Sequence, residues 1–156
     1  MTVKVPPRGT RGIPFPRLPA WLAGFLSRRQ LRGFRRRHGG RTQGGVHTLM
    51  LETVGAKSGQ LRAAMVGYLD DGPGAWLVSA SLGGAARNPA WIHNLAHDPD
   101  ATIESGDGRR EPVRARTLDG AELETAWSRF ATDAPEYVKY RSRTDREIPI
   151  VSLRQR

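Results

Sequence analysis

Two kinds of hydrophobic spacing divide the chain. Alternating or continuous apolar runs rich in β-branched residues at 46–54, 62–69, 75–80, 101–105 and 111–117 predict strands. Asp70-Asp71-Gly72-Pro73-Gly74 and Gly106-Asp107-Gly108 supply the residues of tight turns, joining the second strand to the third and the fourth to the fifth. A last β-rich run, 147–153, contains Pro149, whose missing N–H predicts an edge or bulge position. Helical spacing begins at Asp119, with Glu122 in capping-box position and Leu123, Ala126, Trp127 and Phe130 on one face. Asn88 and Pro89 open a short helix as N-cap and first turn, and a further helical turn at 134–140 follows Pro135. Strands joined mainly by tight turns predict an antiparallel sheet or barrel rather than a doubly wound parallel sheet.

The amino-terminal pattern differs. Leu18, Trp21, Leu22, Phe25 and Leu26 share one helical face, whereas Leu31 and Phe34 drift out of phase, so a short amphipathic helix, bent or ending near Gly33, is expected. Residues 1–19 are rich in Pro, Gly and Arg and predict an extended or poorly ordered arm. Gly39 to Gly45 reads as a flexible joint. The expected organisation is a basic arm over residues 1–41 and a folded domain over 42–156.

Charge sharpens that division. Eleven of the 25 Lys and Arg lie in residues 1–41, which hold no acid; the other fourteen face all fifteen Asp and Glu. An apolar face beside Arg28, Arg29, Arg32 and Arg35 to Arg37 suits packing on the domain or an anionic membrane surface, where each basic residue contributes about 1 kcal/mol. Because Trp21 and Phe25 sit among aliphatics instead of alternating with the arginines, no nucleic acid partner is expected, and residues 18–37 are the candidate for peripheral membrane contact. No apolar run reaches the roughly 18 residues of a membrane span, which places the expected protein in the cytoplasm or peripherally on the inner face of the membrane.

The absence of cysteine excludes disulfides, thiolate nucleophiles and cysteine-ligated metals. His93 and His97 sit four apart on one helix without surrounding carboxylates, so no metal site is expected. Two glycine bends remain. Gly55 to Arg62 (GAKSGQLR) lacks the P-loop spacing and precedes a strand, but Lys57, Ser58, Gly59 and Arg62 could hold a phosphate or carboxylate. Ser81-Leu82-Gly83-Gly84 precedes a helix start, where backbone amides also favour an anion. Taken singly, each bend is first an ordinary element, a solvated hairpin turn and a strand-to-helix connection; it is their convergence on one small sheet that points to a shared ligand.

Together, TVGAKSGQLR, SASLGGAARNPAWIHNLAHDPDATI and PEYVKYRSRTDREIPIVSL resemble the deazaflavin-dependent nitroreductases of actinobacteria, over residues 46–154. The resemblance implies an α+β split β-barrel, mainly an antiparallel six-stranded barrel with flanking helices. It also implies coenzyme F420, an 8-hydroxy-5-deazaflavin, as hydride donor to a quinone, activated alkene or nitroaromatic. By position, Lys57, Ser58, Gly59 and Arg62 would meet the cofactor's phosphate and tail. Met65, Val66, Ala80, Ser81, Leu82, Gly83 and Gly84 would border the ring, with Pro89, Trp91 and Asn94 completing the pocket. Ser81, Tyr137 and Tyr140 would face the acceptor as catalytic residues. An FMN-binding reductase of the same fold and a non-catalytic cofactor-binding or membrane adaptor are the alternatives, and a homodimer is compatible. The chain departs from the family where Leu82 replaces a frequent basic residue and Ala63-Ala64-Met65 a frequent Thr-Thr-Pro. No bulky residue stands near Gly67, which implies a more open substrate pocket.

Overall fold

The computed structural model describes residues 2–42 and 44–156. Six strands, β1 (Thr48–Val54), β2 (Leu61–Asp70), β3 (Ala75–Ser79), β4 (Asp100–Glu104), β5 (Arg110–Thr117) and β6 (Ile150–Gln155), pair antiparallel in the order β1-β2-β3-β6-β5-β4. β4 returns to β1 and closes the barrel. β6 is paired on both sides, to β3 and β5. Pro149 therefore occupies neither an edge nor a bulge: it lies just before β6, where no ladder donor is needed, and its carbonyl accepts the Ala80 N–H at 3.0 Å.

The strands alternate as their sequence period requires. Leu49, Leu51, Val66, Val78, Ile103, Val113, Val151 and Leu153 share one buried cluster with Trp91, Ile92 and Leu95 of helix α2 (Ala90–His97). Leu69, Leu77 and Ile150 belong to a second cluster, covered by Trp127 and Phe130 of α3 (Gly120–Asp133) and Tyr137 of α4 (Glu136–Ser142). The capping box expected at α3 is not formed. Asp119 makes no side-chain cap, and Glu122 instead forks onto Arg116 at 2.8 and 2.9 Å.

Residues 2–16 run extended along the barrel. Val3 is buried in the first cluster, and Thr117 donates its N–H to the Thr2 carbonyl at 3.3 Å. Gly9 and Ile13 donate to the carbonyls of Ala86 and Gly84 at 2.8 and 3.1 Å, and one isolated parallel bridge, Ile13 to Ala85, holds the segment beside the second glycine bend. Asp145 anchors it by accepting the Thr10 hydroxyl and the amides of Thr10 and Arg11, and these bonds draw its carboxyl down to about 2.

Helix α1 (Ala20–Arg36) continues through Gly33 and docks by a different face from the one its large apolar residues suggest. Gly24 and Phe34 are buried, while Leu18, Trp21, Phe25 and Leu26 face outward, Trp21 at 74% exposure. The reason lies in β2. It pairs with β3 only from Tyr68 onward, leaving the outer edge of its first half without a strand. Ser27 accepts the Ala63 N–H at 2.8 Å and donates to the Ala63 carbonyl at 2.7 Å, and Gln30 accepts the Met65 N–H at 3.4 Å. Polar side chains thus replace the missing neighbour. At the far end of α1, Arg35 forks onto buried Glu104 with both contacts at 2.8 Å, and Arg110 bridges Glu104 and Glu52. At the expected Gly39 to Gly45 joint, Gly45 donates to the Thr42 carbonyl at 2.9 Å; Gln43 lies outside the described residues.

Candidate functional site

The first glycine bend is tied to α2, and the second to Arg146 and the α4 region. In the first, Gly59 takes a φ of +68° and donates to the Gly55 carbonyl, and the Ser58 hydroxyl accepts the Gln60 N–H at 3.2 Å, so the bend is shaped from within. Asn94 locks it to the helix: its side-chain oxygen accepts the Ala56 N–H at 3.0 Å and its amide donates to Thr53 Oγ1 at 3.0 Å. Buried Asn94 thereby holds the bend in place with both ends of its side chain. Lys57 projects from the bend, exposed.

Arg62, at the start of β2, lies across Gly24 of α1. A Cβ built on Gly24 would stand 3.5 Å from Arg62 Nη1 and 3.6 Å from Arg28 Nη1, so two guanidinium groups converge on that glycine. Among the described residues, no carboxylate lies within ion-pair distance of Arg28, Lys57 or Arg62. The His93 imidazole on α2 is held below its ordinary value, by burial first and then by the charges of Arg17 and Lys57.

The second bend is more constrained than its glycines suggest. Leu82, Gly83 and Gly84 take positive φ in succession, 45°, 65° and 92°. A leucine in that region carries about 1–3 kcal/mol of strain, and such strain persists only where the surroundings enforce it. Buried Arg146 does so. It is 4% exposed, its described partners include no carboxylate, and its guanidinium donates to the carbonyls of Ala80, Ser81 and Ala85 at 3.1, 2.9 and 3.0 Å, and to Asn88 Oδ1 at 2.9 Å. Asn88 is consequently no N-cap; its amide donates to the Pro6 carbonyl at 2.8 Å, and Pro89 occupies the cap position. Ile13 lies over Gly83, and the Tyr140 carbonyl and Arg143 side chain of the α4 region close on Gly84, where any Cβ would clash.

The other expected pocket residues are Met65, Val66, Ala80, Pro89 and Trp91. Val66, Ala80 and Trp91 belong to one buried cluster, Pro89 is buried at the helix start, and half-buried Met65 lies where Gln30 meets the β2 edge. Tyr137 is buried, its ring 5.2 Å from Phe130 and 5.3 Å from Tyr140, and its hydroxyl lies against Gly67. The space beside Gly67 is therefore filled by Tyr137 rather than open. Burial first, then the Glu136 charge, pushes the Tyr137 hydroxyl up, so it stays protonated. Tyr140 is half-buried and donates to Glu136 Oε2 at 3.1 Å. Ser81 is buried at the start of the bend, its carbonyl held by Arg146. Open depressions of about 340 and 380 Å³ lie against α3, and neither is lined by any of these residues.

Glu136 and Arg146 carry no individual expectation in the sequence, and Arg28 is expected there only as part of the basic cluster facing the domain or a membrane, not as a cofactor ligand. The one visible signal for Arg146 is an arginine at the mouth of the apolar run REIPIVSL, a position that forces burial of its charge.

The donor set fits an anionic, ring-bearing cofactor: unpaired cations at one bend, a buried apolar wall, and a clamped glycine turn. Known proteins agree with that chemistry. The F420H(2)-dependent quinone reductase Rv1261c of Mycobacterium tuberculosis is 40% identical over 130 residues, covering 80% of this chain and 85% of that protein. The solved F420-H2 dependent reductase FDR-A superposes with a TM-score of 0.61 at 32% identity, covering 68% of this chain and 92% of that one. A solved domain-swapped dimer gives 0.62 at 29% identity, covering 83% and 96%. Residues 26–155 match the F420H(2)-dependent quinone reductase family, and the chain belongs to that family.

Proposed function

We propose that the reduced deazaflavin binds between the two bends, with its phosphate and tail on Lys57, Arg62 and Arg28 and its ring against Val66, Ala80 and the turn Ser81 to Gly84. The chain is an oxidoreductase of a family that passes a hydride from reduced F420 to quinone-type acceptors. The convergence of Arg28 and Arg62 on Gly24, beside the Lys57 bend and without carboxylate partners, carries this reading.

When bound, the reduced cofactor would supply two electrons and one proton together, as hydride. The chain's work is binding and orientation. Arg28, Lys57 and Arg62 hold remote anions, a contribution of about 1.5–3 kcal/mol for each charged hydrogen bond. Arg146 fixes the turn carbonyls so that the ring meets a rigid backbone, while Val66, Ala80 and Trp91 exclude water from one face. Ser81 and Tyr140 orient the acceptor; Tyr137, with its hydroxyl against Gly67, walls the pocket.

Quinones are the preferred acceptors in this proposal, with nitroaromatics and activated alkenes as slower ones. Mixing the protein with reduced F420 and a soluble quinone, and following the return of oxidised deazaflavin absorbance, tests it. Turnover supported by FMN and not by F420 would move the chain to the alternative cofactor.

The outward face of α1 supports peripheral membrane contact. Trp21, Phe25, Leu18 and Leu26 are exposed beside Arg28, Arg29, Arg32, Arg36 and Arg37, and Leu61 at the start of β2 is 66% exposed. This face would bring the site to a lipid-dissolved quinone. Deleting the arm would also remove Val3 and Phe34 from buried positions, so Trp21→Ser with Phe25→Ser is the cleaner variant. Cosedimentation with anionic vesicles should fall in the double variant while turnover of a soluble quinone persists; equal sedimentation of both proteins contradicts the contact. A homodimer belongs to the same proposal and is read by light scattering.

A further inference from the structure

Glu136 opens α4 and joins three groups. Its Oε1 accepts the Thr42 hydroxyl, and its Oε2 accepts the Gly44 N–H at 3.2 Å and the Tyr140 hydroxyl at 3.1 Å. Glu136 and Tyr140 are four residues apart, which stacks them on one face of the helix. A phenol has one proton to donate and lone pairs to accept with. With that proton committed to a carboxylate, the Tyr140 oxygen can offer a ligand only its lone pairs.

We propose that Glu136 is a positioning residue that makes Tyr140 a hydrogen-bond acceptor toward the bound substrate, so that the site grips the hydroquinone O–H more tightly than the quinone carbonyl. This rests on the reading that Tyr140 faces the electron acceptor. A quinone gaining a hydride must also gain a proton at oxygen; the Tyr140 O–H bond stays intact, and that proton comes from water. Burial, then the bond to Glu136 and its charge, raises the Tyr140 hydroxyl above its ordinary value, which keeps the proton in place. Other charged or titratable groups around the pair are Arg143, 5.5 Å from the Tyr140 ring; Tyr137; Arg11, bonded to the Ser142 carbonyl; and Arg41, bonded to the Gly45 carbonyl.

The test uses full-length protein and two readouts. First, ultraviolet titration of phenolate without any cofactor, compared with Tyr140→Phe, isolates Tyr140. In Glu136→Gln its titration should move to lower pH, and an unmoved titration overturns the proposal. Second, calorimetry compares a soluble hydroquinone with its dimethyl ether, which lacks the donor. Tyr140→Phe and Glu136→Gln should weaken the hydroquinone several-fold to about tenfold, within the worth of one hydrogen bond, and leave the ether unchanged. Equal loss for both ligands overturns the proposal. Thr42→Ala removes part of the clasp without touching Tyr140 and should keep the preference for hydroquinone; if it abolishes that preference, Glu136 acts through the fold alone and the proposal fails. If neither ligand binds the unsubstituted protein, Tyr140 does not face the acceptor and the binding-site reading falls as well, a result distinct from an unmoved titration.

Discussion

The hydroxyl of Tyr137 occupies the space that a side chain at position 67 would fill, resting against the backbone of Gly67. Glycine on β2 and tyrosine on α4 are thus one packing unit, and they decide how closely α4 approaches the barrel. Gly67→Ala should cost about 1–3 kcal/mol by overpacking. In a Tyr137→Phe background, where the hydroxyl is gone, the same change should cost less than half as much. Urea unfolding of the four proteins in a double-mutant cycle measures this; additive losses would contradict the pairing.

Arg146 holds four partners of the second bend from a buried position. Arg146→Met leaves the carbonyls of Ala80, Ser81 and Ala85 without donors, at a cost of about 1–3 kcal/mol for each buried group that finds no water. Arg146→Lys keeps the charge and loses the fork, so it should restore only part of the stability. In both variants the affinity for F420 should fall more than the thermal stability of an unrelated barrel variant of equal ΔΔG would explain. Matched denaturation and fluorescence titrations provide the comparison.

Glu104 gives the fold a pH dependence of known sign. Bonds from Arg35, followed by those from Arg110, hold its carboxyl below the ordinary carboxylate range. A depressed folded value means that its stabilisation is present above the unfolded value and is lost as pH falls through the folded one. Stability should therefore drop as the pH falls below the ordinary glutamate value of about 4.3, and drop less in Glu104→Gln, which should itself cost about 1–3 kcal/mol at pH 7. Urea midpoints for both proteins across that fall in pH check the prediction.

Lys57→Ala and Arg28→Gln should each weaken F420 binding while leaving the rate at saturating cofactor nearly unchanged, because both meet remote anions and not the reacting carbon. Arg29→Gln, one residue along the exposed face of α1, is the control and should change little. A loss confined to the saturated rate would contradict the placement of Arg28 and Lys57.

The barrel was legible because its strands announce themselves by period and its turns by Asp-Gly and Gly-Pro chemistry; each predicted strand is found, with ends shifted by at most three residues. Helix caps were less legible. Asp119, Glu122 and Asn88 have the right residue types in the right places, but tertiary partners, Arg116 for Glu122 and Arg146 for Asn88, take their side chains. Periodicity misjudged α1 for a related reason: the docking face is chosen by the unpaired edge of β2, which Ser27 and Gln30 can satisfy and Trp21 cannot. At the candidate site, local sequence marks glycines and cations but not who clamps them. Arg146 is 64 residues from Leu82, and Glu136 reaches back to Thr42; such pairings exist only once the barrel has closed.

The most direct test of a deazaflavin seat between the two bends is equilibrium titration of the full-length protein with F420 and, separately, with FMN, followed by the fluorescence of each ring. The account predicts saturable binding of F420, weakened in Lys57→Ala and Arg146→Met, and weaker or undetectable binding of FMN. Tight FMN binding without F420 binding, or F420 binding indifferent to both substitutions, would contradict it.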